Sequence, residues 1–214
     1  MTEPLNAIAM LGGMFDPVHN GHLRAALEVA QLLDLAEVRL IPCAQPPHRH
    51  AAYATVAQRV TMLRLATAGE AKLVVDEREI ERPTLSYSYD TLSSLRAEGE
   101  SRPLCMIIGA DAFLGLATWH RWRELLTVAH LIVLKRPGWV ANVTGELAEL
   151  MVAAQTEDPA TLRQQPSGKI LFCSVTQLEI SSTKIRNLRQ AGQNVRYLLP
   201  DVVYDYIERE ALYL

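Results

Sequence analysis

The sequence predicts an α/β fold, a doubly wound, Rossmann-like parallel sheet with helices on both faces. Three observations carry that prediction. Apolar runs of strand length recur with helical patterns between them. The runs are apolar almost throughout, as strands covered on both faces are. The 214 residues suit one such domain, able to bury about 70% of its extended-chain surface without disulfides or metals.

The elements follow in order. Ala7–Leu11 is five apolar residues ending at Gly12-Gly13, a strand running into a glycine turn. Pro17 fixes φ just ahead of a helix over Gly21–Asp34. Val38–Pro42 and Lys72–Asp76 are the next strands, separated by a helix over Thr55–Ala68 and followed by one over Tyr89–Glu98. Leu104–Gly109, His130–Lys135 and Lys169–Cys173 complete the strands, with a helix at Gly145–Gln155 before the last. Helices over Ser182–Ala191 and Pro200–Glu210 close the chain. Thr156–Gly168, with two prolines and scattered charges, reads as a loop or insertion. There is no internal repeat or low-complexity stretch, so residues 1–214 read as a single domain whose segment from about 180 to 214 is helical.

Composition narrows the class. Hydrophobic residues make up 49% and charged residues 21%, ordinary values for a globular protein. A net charge of −3 argues against a general nucleic-acid binder. Cys43, Cys105 and Cys173 are odd in number, widely spaced and without a CxxC or zinc pattern. The latter two lie in apolar runs and read as core thiols, which points to a reducing compartment. No basic leader with an apolar stretch behind it begins the sequence, and no run reaches membrane-spanning length. A cytoplasmic protein without a membrane partner is expected, as a monomer or small homo-oligomer.

In a doubly wound sheet, strands 1 and 4 are neighbours where the strand order reverses, and ligands bind beyond their carboxyl ends. The loop after strand 1 holds Gly12-Gly13-Met14-Phe15-Asp16-Pro17-Val18-His19-Asn20-Gly21-His22. The loop after strand 4 holds Gly109-Ala110-Asp111. Glycines let backbone approach a ligand, and a helix N-terminus offers free N–H donors to an anion. His19 and His22, on one turn at that terminus, add donors suited to phosphate oxygens. The plainer reading is a surface helix start. A metal pair is the other alternative, with no third ligand evident at suitable spacing. Neither GxGxxG nor GxxxxGK[ST] occurs.

A second anion site is legible in Ile180-Ser181-Ser182-Thr183-Lys184-Ile185-Arg186. Ser182 is a natural N-cap. Lys184 and Arg186 stand where the helix dipole disfavours cations by roughly 0.3–1 kcal/mol each, a penalty that a bound anion reverses. An ordinary capped helix with solvated basic residues is the competing interpretation.

Together, GGMFDPVHNGHL and ISSTKIR resemble the paired signature of the nucleotidyltransferase superfamily that transfers AMP from ATP. Pro46-Pro47-His48-Arg49, Ser86-Tyr87-Ser88-Tyr89-Asp90-Thr91-Leu92, Ile108-Gly109-Ala110-Asp111, Trp119-His120-Arg121-Trp122 and Arg136-Pro137-Gly138 extend the resemblance to the bacterial nicotinate-nucleotide adenylyltransferases. That resemblance implies a reaction of ATP with nicotinate mononucleotide, giving nicotinate adenine dinucleotide and pyrophosphate in NAD biosynthesis, with Mg²⁺ bound alongside ATP. It implies that His19, His22 and Arg186 are catalytic. Gly13, Phe15, His19, His22, Gly109, Asp111, Ser182, Thr183 and Arg186 would bind ATP. His48, Arg49, Ser88, Trp119 and Arg136 would bind the nicotinate nucleotide, with Trp119 stacked on the ring and Trp122 in the core. Departures exist: Ser88 stands where the family more often has threonine, and His120 where some relatives have tyrosine. The rivals are an adenylyltransferase for nicotinamide mononucleotide or phosphopantetheine, and a catalytically inactive nucleotide-sensing module.

Overall fold

The computed structural model describes residues 6–44, 52–98, 101–136, 138–176 and 178–214. The elements are β1 (Ile8–Gly13), α1 (Asn20–Leu32), β2 (Glu37–Pro42), α2 (Val56–Thr67), β3 (Leu73–Val75), α3 (Arg78–Glu81), α4 (Ser88–Ala97), β4 (Leu104–Gly109), α5 (Ala110–Leu114), α6 (Leu125–Val128), β5 (His130–Lys135), α7 (Gly145–Ala154), β6 (Gln155–Thr156), β7 (Ile170–Ser174), α8 (Ser182–Gln190) and α9 (Asp201–Arg209). The strands form one parallel sheet in the order β3-β2-β1-β4-β5-β7-β6. β1 and β4 are therefore neighbours at the reversal, as the sequence predicts.

Alternation along the strands builds two cores. Ala7, Ala9, Cys105, Ile107 and Ile132 face one side, packed with residues of α1, α2, α8 and α9. Ile8, Met10, Leu104, Met106, Ile108, Leu131 and Val133 face the other, with residues of α4, α5, α6 and α7. Period-two side-chain direction makes this division, and covering both faces is why the strands read as continuous apolar runs. Cys105 and Cys173 are buried thiols, and burial pushes them up to about 12 and about 11.

Three expectations need correction. β1 continues through Gly12 and Gly13, paired with Ile41 and Pro42. The turn falls instead at residues 14–19, where Phe15 takes φ 47° and the Asp16–Pro17 bond is cis. Thr156–Gly168 is no simple loop. It begins on the edge strand β6, forms a 3₁₀ turn at Pro159–Arg163 and buries Leu162. His130 Nε2 donates to the Gln165 carbonyl at 2.9 Å, and Leu104 N–H donates to that of Pro166 at 3.1 Å. Finally, α8 is capped one residue early: the Ser181 hydroxyl accepts from Lys184 N–H at 3.2 Å, and Ser182 is the first helical residue.

Candidate active site

The crevice opens where the ladder stops. β1 follows β2 to the Gly13–Pro42 pair but follows β4 only to Met10–Met106. Beyond that register Leu11–Gly13 and Ile107–Gly109 diverge, leaving a cavity of about 1270 Å³ at their carboxyl ends. A single small-ligand pocket is commonly about 300–1,000 Å³, so the cavity exceeds that range. Its walls include Gly13, Phe15, His19, His22, Gly109, Asp111, Arg136, Ser182, Thr183 and Arg186.

Folding of the 14–19 segment presents the first helix tip. Phe15 is buried and its ring lies over Gly13, where an added Cβ would be 3.3 Å from the ring edge. Glycine at 13 therefore accommodates the ring while the Gly13 and Phe15 backbones stay at the cavity. Arg59, 1% exposed, donates from Nη1 to the Met14 carbonyl at 2.7 Å. The start of α1 is tethered from the other side: Asn20 donates through its N–H to the Leu198 carbonyl at 3.0 Å and through Nδ2 to that of Tyr197 at 2.9 Å.

His19 is the N-cap of α1, and His22 Nδ1 accepts the His19 N–H at 3.3 Å. This is the returning arm of a capping box, normally a Glu or Gln task, performed by an imidazole. An accepting Nδ1 places the proton of neutral His22 on Nε2, so Nε2–H is the donor His22 can offer. The two rings stack at 3.6 Å, and the edge of Phe15 closes on His22 at 5.1 Å. Burial holds His19 down to about 4. Burial, then the neighbouring His19, holds His22 down to about 3. Both rings are neutral near pH 7. Buried His19 Nδ1 has no hydrogen-bond partner among the described residues.

The N-terminus of α8 converges on the same loop. Ser182 Oγ donates to the Pro17 carbonyl at 2.9 Å, and Arg186 Nη1 donates to the Asp16 carbonyl at 2.6 Å. Arg186 Nη2 reaches Thr183 Oγ1 at 3.2 Å, and its guanidinium lies 4.6 Å from the Tyr53 ring centre. The Ser182 hydroxyl thus spends its proton on joining the two loops, so its backbone N–H is the donor left for an anion. Two helix N-termini with first-turn N–H groups, a neutral imidazole pair and one arginine meet at one end of the cavity. That arrangement suits a polyphosphate.

The β4 side is open. A Cβ on Gly109 would meet nothing within 4 Å. Gly109 is the N-cap of α5, which leaves Asp111 in the first turn as an exposed carboxylate. Arg136, grouped with the pyridine-nucleotide residues in the sequence, lies on this wall with Trp139 and Leu178, 3.9 Å from Glu179. Ser88 and Trp119 are not on these walls. They belong to two segments that abut each other, where the Tyr87 and His120 rings lie 4.3 Å apart and Arg121 sits 3.8 Å over Tyr89. Trp119 is half-buried against the second core and Trp122 is inside it. His48 and Arg49 lie outside the described residues. Among the described residues no cluster of three metal-ligating side chains occurs, and no helix is long and apolar enough to cross a membrane.

Sequence reasoning missed Asp16, Tyr53 and Trp139, all on the cavity wall. Asp16 stood inside the motif, and Trp139 follows Pro137-Gly138. Nothing around Tyr53 marked it.

This fold and site define a class. Residues 10–188 match the cytidylyltransferase-like family model, whose members are nucleotidyltransferases. Within it, the chain is 48% identical over 207 residues to a probable nicotinate-nucleotide adenylyltransferase of Methylococcus capsulatus, covering 96% of this chain and 99% of that one. It is 48% identical over 214 residues to one of Pseudomonas syringae pv. tomato, covering 100% and 96%. The chain belongs to the nicotinate-nucleotide adenylyltransferase family. The fold is shared with Plasmodium falciparum nicotinic acid mononucleotide adenylyltransferase complexed with NaAD, at 17% identity, TM-score 0.71 and 97% coverage of each chain.

Proposed function

We propose that this chain transfers the adenylyl group of ATP to nicotinate mononucleotide, forming nicotinate adenine dinucleotide and releasing pyrophosphate. The observation that carries the reading is the meeting of the α1 and α8 N-termini, with His19, His22 and Arg186, at the cavity beyond the carboxyl ends of β1 and β4.

The attacking atom is a phosphate oxygen of the mononucleotide, already largely anionic near neutral pH because its second pKa is about 6. No general base is needed. Catalysis is alignment of two polyanions and stabilisation of charge moving onto the departing pyrophosphate. In this reading His22 donates through Nε2–H to the α-phosphate, and His19 lies beside it. Thr183, Arg186 and the α8 N–H groups of Ser182 and Thr183 hold the β- and γ-phosphates. The backbones of Gly13 and Phe15 face the nucleotide. Gly109 leaves room for the adenosine, and Asp111 accepts from its ribose hydroxyls. Mg²⁺, bound with the triphosphate, would neutralise part of its charge. In this reading the cation would be held mainly by phosphate and water.

Ser88 and Trp119 would receive the nicotinate, with Arg136, His48 and Arg49 assigned to the same nucleotide. Support for the acid over the amide comes from α4. Its N-cap, Tyr87, makes no side-chain capping bond, so first-turn N–H groups beside the Ser88 hydroxyl are available to a carboxylate. Such charge-assisted bonds are roughly twice as strong as neutral ones. The test is kcat/KM for both mononucleotides with ATP, followed by pyrophosphate release. Preference for the acid is expected. Preference for the amide would overturn the substrate assignment, and no pyrophosphate with either would favour an inactive nucleotide-binding module.

A further inference from the structure

The loop that carries the imidazole pair is also held from behind, by a contact the reaction does not use. Asp16 is 3% exposed. Its carboxylate accepts three hydrogen bonds: from Tyr53 N–H at 2.8 Å, Ala54 N–H at 3.1 Å and the Tyr213 hydroxyl at 2.7 Å. Tyr213 lies beyond α9, buried, with its ring in the first core. Burial, reinforced by the Asp16 charge, pushes its phenol far above the usual range, so it stays a donor. The backbone of the same aspartate accepts Arg186, and the residue whose N–H is tied to its carboxylate, Tyr53, lays its ring on Arg186.

We propose that Tyr213 is a positioning residue for the phosphate end of the cavity: its hydroxyl, acting through Asp16, fixes where Arg186 and Tyr53 stand. A buried carboxylate deprived of one donor must find water or another group. Its other two donors are backbone N–H groups of residues 53 and 54, and the adjacent Met14 carbonyl is held by buried Arg59. Relaxation therefore falls on Asp16 itself and on whatever its carbonyl holds, which is Arg186. The residues assigned to the pyridine ring, Ser88 and Trp119, have no part in these bonds, so an effect confined to ATP is expected.

This inference rests on the proposed binding of ATP at this end of the cavity. Tyr213→Phe keeps the ring in the core and removes only the O–H. Calorimetric titration with a non-hydrolysable ATP analogue should give a Kd about tenfold weaker than wild type, the order expected when part of a hydrogen bond to a charged group is lost. KM for ATP should rise with it, while KM for nicotinate mononucleotide stays within about twofold. Tyr206→Phe, at another buried tyrosine of the same core, should leave both constants unchanged. If wild type binds the analogue and Tyr213→Phe matches it, the positioning role is wrong while the proposed function stands. Equal weakening for both substrates would also overturn it, marking a general loosening of the fold. Failure of wild type to bind the analogue removes the proposed function and this inference together.

Discussion

Gly21 is the second residue of α1, and it is not among the residues with positive φ. A glycine inside a helix costs about 0.5–1 kcal/mol relative to alanine, so the backbone gives no reason for it. The neighbours do. A Cβ at this position would lie 3.0 Å from His19 Nδ1, 3.1 Å from His19 Cε1 and 3.7 Å from Ile180 Cβ. The first two distances are tighter than ordinary contact, so in Gly21→Ala the His19 ring must yield by a few tenths of an ångström. It is stacked on His22 at 3.6 Å, and the pair would shift together or separate. Because a misplacement of about 1 Å can cost 10²-fold in rate, a shift of roughly a third of that should lower kcat by about fivefold. Folding stability should hold or rise, by up to about 1 kcal/mol from helix propensity less the cost of the contact. Pyrophosphate release at saturating ATP and nicotinate mononucleotide, beside urea unfolding, reads both effects. A variant with wild-type turnover would refute the claim that glycine is there to seat His19.

Replacing His22 by alanine should lower kcat by about 10²–10³, as loss of one preorganised donor to developing charge does; a folded variant with near-normal turnover would contradict its role. Trp119→Ala should weaken the pyridine nucleotide and spare ATP, and equal loss of both would count against ring stacking. Stability should fall on acidification. The folded histidines resist protonation until about pH 4 and about pH 3, whereas the unfolded chain takes up protons from about pH 6.5. The stability present at neutral pH is therefore lost as pH drops through that window, by at most about 1.4 kcal/mol per pH unit for each histidine. His22→Gln should unfold with a shallower pH dependence than wild type, and an unchanged slope would be inconsistent with a depressed His22.

The sheet was legible because its strands are buried on both faces: Ala7–Leu11 and Leu104–Gly109 admit hardly a polar residue, so periodicity could not mislead. The two helix tips were legible because glycine, histidine and hydroxyl residues cluster within a turn or two of strand ends. What escaped depends on contacts distant in sequence. Asp16 and Tyr213 meet across 197 positions, and no local pattern encodes that bond. The cap of α8 was ambiguous because Ser181, Ser182 and Thr183 are all capable; the backbone, extended at Ser181 with φ −137°, decides it. The capping box of α1 was hidden because histidine occupies the place where glutamate or glutamine gives the usual signal.

A crystal structure with a non-hydrolysable ATP analogue addresses the shared helix tips most directly. The α-phosphate should lie within hydrogen-bond reach of His22 Nε2, with the β- and γ-phosphates on the first turn of α8 beside Thr183 and Arg186. A triphosphate bound away from either tip, for example against Arg136 beyond β5, would contradict it.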